Sequence, residues 1–431
     1  MEDNKENLKR VVGIFGFSTN IINMVVGSGI FVLPAIVAAG LGTSSIFAYL
    51  LCGFLVALVM LCFAEAGSRV TDSGGAYIYI KTAFGPYFGF LTSILFVLAT
   101  ISADAAVANA IVDIIGSIVP EFKITYIKIL IFLILFAGFG FVNIKGVKNG
   151  VKVVKFVTVA KLIPLLLLVL FSWGGVSLDN LSIGTVSPFN DIAKMSLILF
   201  FAFQGAESGF SISGEVKNPK RNIPKGIFLS IIIILILYIL IQVVSQGVLG
   251  DSLVTFKENP LGAVANQIFG PIGFTAMTLA AAVSMLGYLS SSILSMPRIL
   301  FRASKDNVLP IKSLTKIHSK FSTPYISIIS YASAGFLFAS IGGFEQLAII
   351  SSATVLLIYL GVSLSVVKLR KLNIGSGNEF RIPGGYLIPV LSSLTILYLL
   401  SNLARNEFII ILIAIIILTF VYFLKTKPNK K

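Results

Sequence analysis

Residues 11–39, VVGIFGFSTNIINMVVGSGIFVLPAIVAA, contain no charged side chain and are long enough to cross a bilayer as one helix. Near the middle they are interrupted by Gly27-Ser28-Gly29, and Pro34 follows. Glycine is a poor helix interior. In hydrocarbon, an unpaired backbone amide or carbonyl costs several kcal/mol, so a break at mid-depth is tolerable only inside protein or against a polar cavity. The stretch therefore has two readings. It is a small-molecule site built from freed peptide groups, or it is a small-residue face for helix packing.

The remainder of the chain repeats the apolar pattern. Of 431 residues, 56% are hydrophobic and 12% charged, about half the charge of a soluble domain. Twelve spans are expected, at 11–39, 42–66, 84–116, 124–144, 151–172, 193–214, 226–249, 268–298, 323–341, 345–367, 385–403 and 407–424. The fold class is thus an all-α polytopic membrane protein with 12 transmembrane helices. Of 33 Lys and Arg, 27 fall in segments that one orientation places on a single side, and only Lys123, Lys128, Lys257 and Arg405 fall opposite. That asymmetry puts both termini in the cytoplasm and accounts for the net charge of +15 without a nucleic-acid partner. Trp173 suits an interfacial anchor. The N-terminal MEDNKENLKR is short and mixed in charge, so no cleaved signal peptide is expected. The polar loop 299–322 has too few apolar residues for a domain of its own. Cys52 and Cys62 are about 15 Å apart along one helix, too far for a disulfide. A single histidine, His318, leaves no basis for a His-ligated metal, a haem or a Ser-His-Asp hydrolase. No cofactor and no enzymatic activity are expected.

A second span is broken. Residues 194–214 carry Gln204-Gly205-Ala206-Glu207-Ser208-Gly209 at their middle. A carboxylate at that depth costs about 3 kcal/mol and normally faces a cavity or a partner. Interrupted spans in the first and sixth positions point to an inverted five-helix repeat, with a site between the breaks. Glu207 then binds, gates or makes a structural ion pair. Gly27-x-Gly29 is not a dinucleotide fingerprint, because Val32 stands where the third glycine belongs and no strand precedes it.

Several motifs together resemble the amino acid–polyamine–organocation (APC) superfamily. They are GSGIF at 27–31 with Pro34, then Phe203, Gly205 and Glu207, followed by Glu215, Lys217-Asn218-Pro219, Arg221 and Ile223-Pro224. Gly74-Gly75-Ala76-Tyr77, Gly85-Pro86 and the run Arg298 to Pro310 match as well. The resemblance covers essentially the whole chain. It implies a LeuT-like fold: a cytoplasmic N-terminus at 1–10, one five-helix repeat at 11–172, its inverted counterpart at 193–367, helices 11 and 12 at 385–424, and a cytoplasmic C-terminus at 425–431. It also implies alternating-access transport of amino acids or polyamines across the plasma or inner membrane. The oligomeric state is left open.

By that resemblance, the substrate carboxylate meets the amides of Ser28, Gly29 and Ile30, and its ammonium meets carbonyls near Asn23, Gly27, Phe201 and Gln204. Gly205, Glu207 and Tyr288 complete the pocket, and Phe96, Phe201 and Glu207 gate it. Phe201 and Tyr288 stand where some exchangers carry tryptophan, and Phe96 where tyrosine is found. All three are equally ordinary core residues. Asp104 falls at a substrate-facing position and with Glu207 would suit a cationic side chain. Otherwise it pairs with Lys161, or is buried and protonated. Lys161 resembles the lysine that replaces a sodium ion in proton-coupled members, with Ser290 and Ser291 beside it. The competing reading is a permanently charged lysine tied to carbonyls or reaching for the interface. The resemblance thus supports proton-coupled uptake, with an obligate amino acid/amine antiporter, arginine/agmatine or ornithine/putrescine, as the alternative.

Overall fold

The computed structural model describes residues 12–70, 75–146, 150–207, 216–305, 309, 311–375 and 379–426. The termini 1–10 and 427–431, the end of the sixth span at 208–214, Gly74, Glu215 and Pro310 lie outside them. Fourteen α-helices are described: α1 (Ile14–Val25), α2 (Gly29–Leu41), α3 (Ser45–Arg69), α4 (Ala76–Phe84), α5 (Pro86–Gly116), α6 (Thr125–Lys145), α7 (Gly150–Phe171), α8 (Phe189–Leu199), α9 (Pro219–Leu249), α10 (Pro260–Lys305), α11 (Tyr325–Ile341), α12 (Phe344–Lys371), α13 (Leu387–Leu400) and α14 (Arg405–Thr426). Helix falls on every one of the twelve expected spans. Taken singly, six stretches are both long and apolar enough to cross a membrane, and α13 with α14 pass only as a pair bent by 116°. The halves of an interrupted span are short by construction, so length alone undercounts a chain with broken helices. The chain is a multi-pass membrane protein.

The helix boundaries follow the glycines and prolines. Gly85, at φ 93°, separates α4 from α5 and lets Pro86 occupy the first helical position, where its missing N–H costs nothing. Helix α4 falls between the second and third expected spans and is not among the twelve. Gly270, at φ 68° and ψ −163°, is not helical and interrupts α10 just before Pro271, so the residues from Pro260 form a separate short helix and the span expected from 268 restarts at this break. At its other end α10 continues to Lys305. The loop expected from 299 is therefore helical for its first turns, because a helix need not stop where its sequence turns polar.

Helix α5 is the axis of the bundle. Its alanines, Ala103, Ala105, Ala106, Ala108 and Ala110, are buried, and their small side chains let α10, α11 and α12 approach closely. Further packing pairs α3 with α9, α10 with α7 and α6 with α11. Buried polar groups fix the registers. Asn109 Nδ2 donates to the carbonyls of Ala339 (3.2 Å) and Gly342 (3.2 Å), tying α5 to the end of α11. Cys52 and Cys62 are buried free thiols. Asp113, half-buried near the end of α5, is ion-paired with Lys128 at 3.0 Å.

At the Lys/Arg-rich end, the fully buried Glu65 collects four donors. They are Arg69 Nε at 3.0 Å, Arg370 Nε at 2.7 Å and Nη2 at 2.5 Å, and the Ile382 amide at 2.9 Å. Arg69 Nη1 also donates to the Ile374 carbonyl at 3.0 Å. A buried carboxylate is tolerable when it is saturated in this way.

Candidate functional site

Both predicted interruptions are present. Helix α1 ends at Val25, Val26 is extended (φ −68°, ψ 91°), and α2 restarts at Gly29. The amides of Ser28, Gly29 and Ile30 stand at this new N-terminus, where no preceding turn exists to accept from them. In the sixth span, α8 ends at Leu199 and a 3₁₀ turn spans Phe200–Phe203. The chain then becomes extended at Gln204 (ψ 158°) and turns at Gly205 with φ 103°.

The two interruptions touch each other. A Cβ added to Gly29 would lie 2.8 Å from Ala202 Cα, and one added to Gly205 would lie 2.7 Å from the Met24 carbonyl oxygen. Both contacts are with backbone or its immediate substituents, which cannot swing aside. At Gly205 the positive φ adds its own penalty for any side chain. Tyr238, fully buried on α9, spans the junction: its hydroxyl donates to the carbonyls of Val25 at 3.1 Å and Ala202 at 3.0 Å. One phenol therefore serves the carbonyl ends of both half-helices. Phenylalanine at Tyr238 would leave two acceptors unserved in a dry site, at about 1–2 kcal/mol. The expected result is roughly 10-fold weaker substrate binding, read by equilibrium binding on purified protein, with an unchanged dissociation constant as the contrary outcome.

The polar side chains of the sixth-span break turn toward α12. Glu207 Oε2 accepts from the Gly205 amide at 3.1 Å and from the Tyr359 hydroxyl. Gln204 Nε2 donates to Ser352 Oγ at 3.0 Å, and its Oε1 accepts from Ser351 Oγ at 3.1 Å. Phe201 is buried and meets Phe344 edge-on at 5.7 Å. Phe344 in turn lines a cavity of about 400 Å³ with Val32, Ile36, Ala110 and Glu345, along α2 and near the ends of α5 and α12. Phe201 thus stands between the breaks and this cavity. Phe96 is half-buried on α5, and its carbonyl accepts from Thr100.

Asp104 is fully buried, and its Oδ2 accepts from Ser292 (2.8 Å, α10) and Tyr331 (2.8 Å, α11). Its Oδ1 is buried without a partner. The expected alternative of an Asp104–Lys161 pair is not what forms. Lys161 Nζ instead donates to the Asn23 carbonyl at 2.5 Å, two residues before α1 ends. Tyr288, half-buried on α10, is in electrostatic contact with both Asp104 and Glu207. Ser290 is half-buried, whereas Ser291 is exposed and its hydroxyl donates to the Gly287 carbonyl at 2.9 Å. In this triplet of serines it is Ser292 that reaches a charged partner. That partner is Asp104 and not Lys161, and the three consecutive helical positions face three directions about 100° apart. Tyr238, Tyr331, Tyr359, Ser351 and Ser352 were also missed. Their only signal was a hydroxyl inside an apolar span. Among the described residues, no group of three or more His, Cys, Asp or Glu could hold a metal ion.

The model of the family described as amino acid permease matches residues 12–424. Among curated proteins, the chain is 28% identical to the serine/threonine exchanger SteT of Bacillus subtilis (strain 168), over 91% of this chain and 90% of the relative. It is 24% identical to the branched-chain amino acid permease BcaP of the same organism, covering 99% of this chain and 95% of the relative. It is 27% identical to that organism's methylthioribose transporter, covering 99% and 96%.

Proposed function

The chain belongs to the amino acid permease family, within the APC superfamily of transporters rather than among enzymes, and from that premise we propose that it carries a neutral amino acid through the junction of its two interrupted helices, with Lys161 coupling the movement to protons. The observation that carries this reading is the Lys161 ammonium on the Asn23 carbonyl, beside the first break. Its proton holds the end of α1 in place. Loss of that proton leaves a neutral amine whose N–H is a weaker, uncharged donor, so the hold on the Asn23 carbonyl loosens and protonation and the geometry of the pocket are linked.

The amides of Ser28, Gly29 and Ile30 offer an anion site for the substrate carboxylate, and carbonyls at the breaks offer acceptors for its ammonium. Val25 and Ala202 are occupied by Tyr238 and Asn23 by Lys161, which favours Gly27 and Phe201 for that role. Neutral cargo is favoured over a cationic amino acid or polyamine because Glu207 is engaged by Tyr359 and Asp104 Oδ2 by Ser292 and Tyr331, which leaves a cation only the buried Asp104 Oδ1. Relatives named for serine/threonine and branched-chain substrates agree with this. Phe201 gates the side toward the 400 Å³ cavity, and Glu207 with Tyr359 gates the sixth-span break.

The architecture we propose is twelve crossings with both termini in the cytoplasm of a plasma or inner membrane, as two inverted five-helix repeats plus α13 and α14. Packing of α3 on α9, α5 on α10 and α6 on α11 supports it, since each pairs a span with the one five later. A second reading, obligate exchange, is favoured by the relative named as an exchanger. Purified protein in liposomes decides. Uptake of serine, threonine or leucine into amino-acid-free vesicles under an inside-alkaline gradient supports coupling. Uptake only into vesicles preloaded with amino acid supports exchange. No flux of any neutral amino acid, with flux of arginine or putrescine, overturns the substrate assignment.

A further inference from the structure

A groove of about 230 Å³ runs along the outside of the bundle between α6 and α11. It exists because the facing residues are small: Ala137 and Gly140 on α6, Ala332 and Ser333 on α11. Larger apolar side chains, Leu133, Phe136 and Ile329 among them, form its walls. One end of the groove is basic. Phe141 forms part of the wall, and the Lys145 ammonium lies 4.3 Å from the centre of its ring. Ile144, another wall residue, has its carbonyl bonded by Thr323 Oγ1 at 2.8 Å. That bond draws the connection ahead of α11 to the same end of the groove. Lys316 and Lys320 in this connection are exposed, as is Lys145. The α11 N-terminus, with its partial positive charge, opens there too.

We propose that this groove is a binding site for one anionic phospholipid, with an acyl chain along the α6–α11 trough and its phosphate held by Lys145 and Lys320. The occupant follows from two features in register. An apolar trough at membrane depth matches a hydrocarbon chain, and cations at one end match a negative headgroup at the interface. A zwitterionic lipid would fill the trough without gaining from the lysines. A free phosphate ion would meet the lysines without the trough. The site lies on the outer face of α6 and α11, apart from both helix breaks, and its test does not depend on the substrate.

The test measures thermal stability of the purified, delipidated protein against added phosphatidylglycerol, phosphatidylcholine or inorganic phosphate. Phosphatidylglycerol is expected to stabilise at far lower concentration than phosphatidylcholine, and phosphate not at all. Each interfacial lysine contributes about 1 kcal/mol. Lys145→Gln with Lys320→Gln should therefore weaken the phosphatidylglycerol midpoint roughly 30-fold and leave phosphatidylcholine unchanged. Ser333→Phe, at an exposed position on the trough, should weaken both lipids. Equal stabilisation by the two lipids in wild type, or a lysine double variant that keeps the wild-type midpoint, overturns the proposal. So does a Ser333→Phe variant that alters oligomeric state instead of lipid response, which would make the trough a contact between copies.

Discussion

Alanine at Gly205 is expected to reduce substrate uptake about 100-fold while the protein still reaches the membrane. Two costs add at this residue. Its φ of 103° is closed to L-residues without strain of about 1–3 kcal/mol. The new methyl would also sit 2.7 Å from the Met24 carbonyl oxygen, so the two interrupted helices must move apart. A combined penalty near 3 kcal/mol in the binding geometry corresponds to about 100-fold. Uptake per unit of membrane-inserted protein, with monodispersity checked by fluorescence-detected size exclusion, is the measurement. Gly138, whose added Cβ would meet nothing within 4 Å, supplies the control: Gly138→Ala should transport normally. Uptake by Gly205→Ala within twofold of wild type would mean that the contact between the breaks is irrelevant to the cargo.

Replacing Lys161 with glutamine should abolish accumulation driven by a pH gradient while leaving exchange between loaded vesicles measurable. One unit of pH difference supplies about 1.4 kcal/mol per proton, enough for about tenfold accumulation by a carrier that moves one proton per substrate. The wild type should approach that ratio and collapse when the gradient is dissipated. The variant should remain near unity with or without the gradient, because glutamine can still donate to the Asn23 carbonyl but cannot release a proton. A variant that still concentrates substrate against the gradient would remove Lys161 from the coupling scheme.

The interruptions were legible because glycine inside an apolar run has a known physical cost. Gly27, Gly29 and Gly205 could be singled out before any contact was known. Lys161 beside the first break was legible only through the family resemblance, which implies a lysine there in proton-coupled members. What the sequence withheld was partnership across long separations. Nothing local ties Asp104 to Ser292 and Tyr331, which lie 188 and 227 residues away. Nothing local says that Tyr238 serves Val25 and Ala202 together. Helix ends were blurred for a different reason. Positions of hydropathy change mark the membrane surface, whereas helices stop where backbone geometry demands it, at Gly85, Gly270 and beyond Lys305.

The quartet of donors around Glu65 has a consequence for how such a carrier can move. It rivets the end of α3 to the end of α12 and to the strap leading into α13. Helix α12 is also the helix whose Ser351, Ser352 and Tyr359 hold the unwound part of the sixth span. A pivot is thereby fixed at one end of the molecule. Spin labels at the exposed Lys371 and at Ser68 should keep one separation through the whole cycle, and the swinging must be done by helices that lack this anchor.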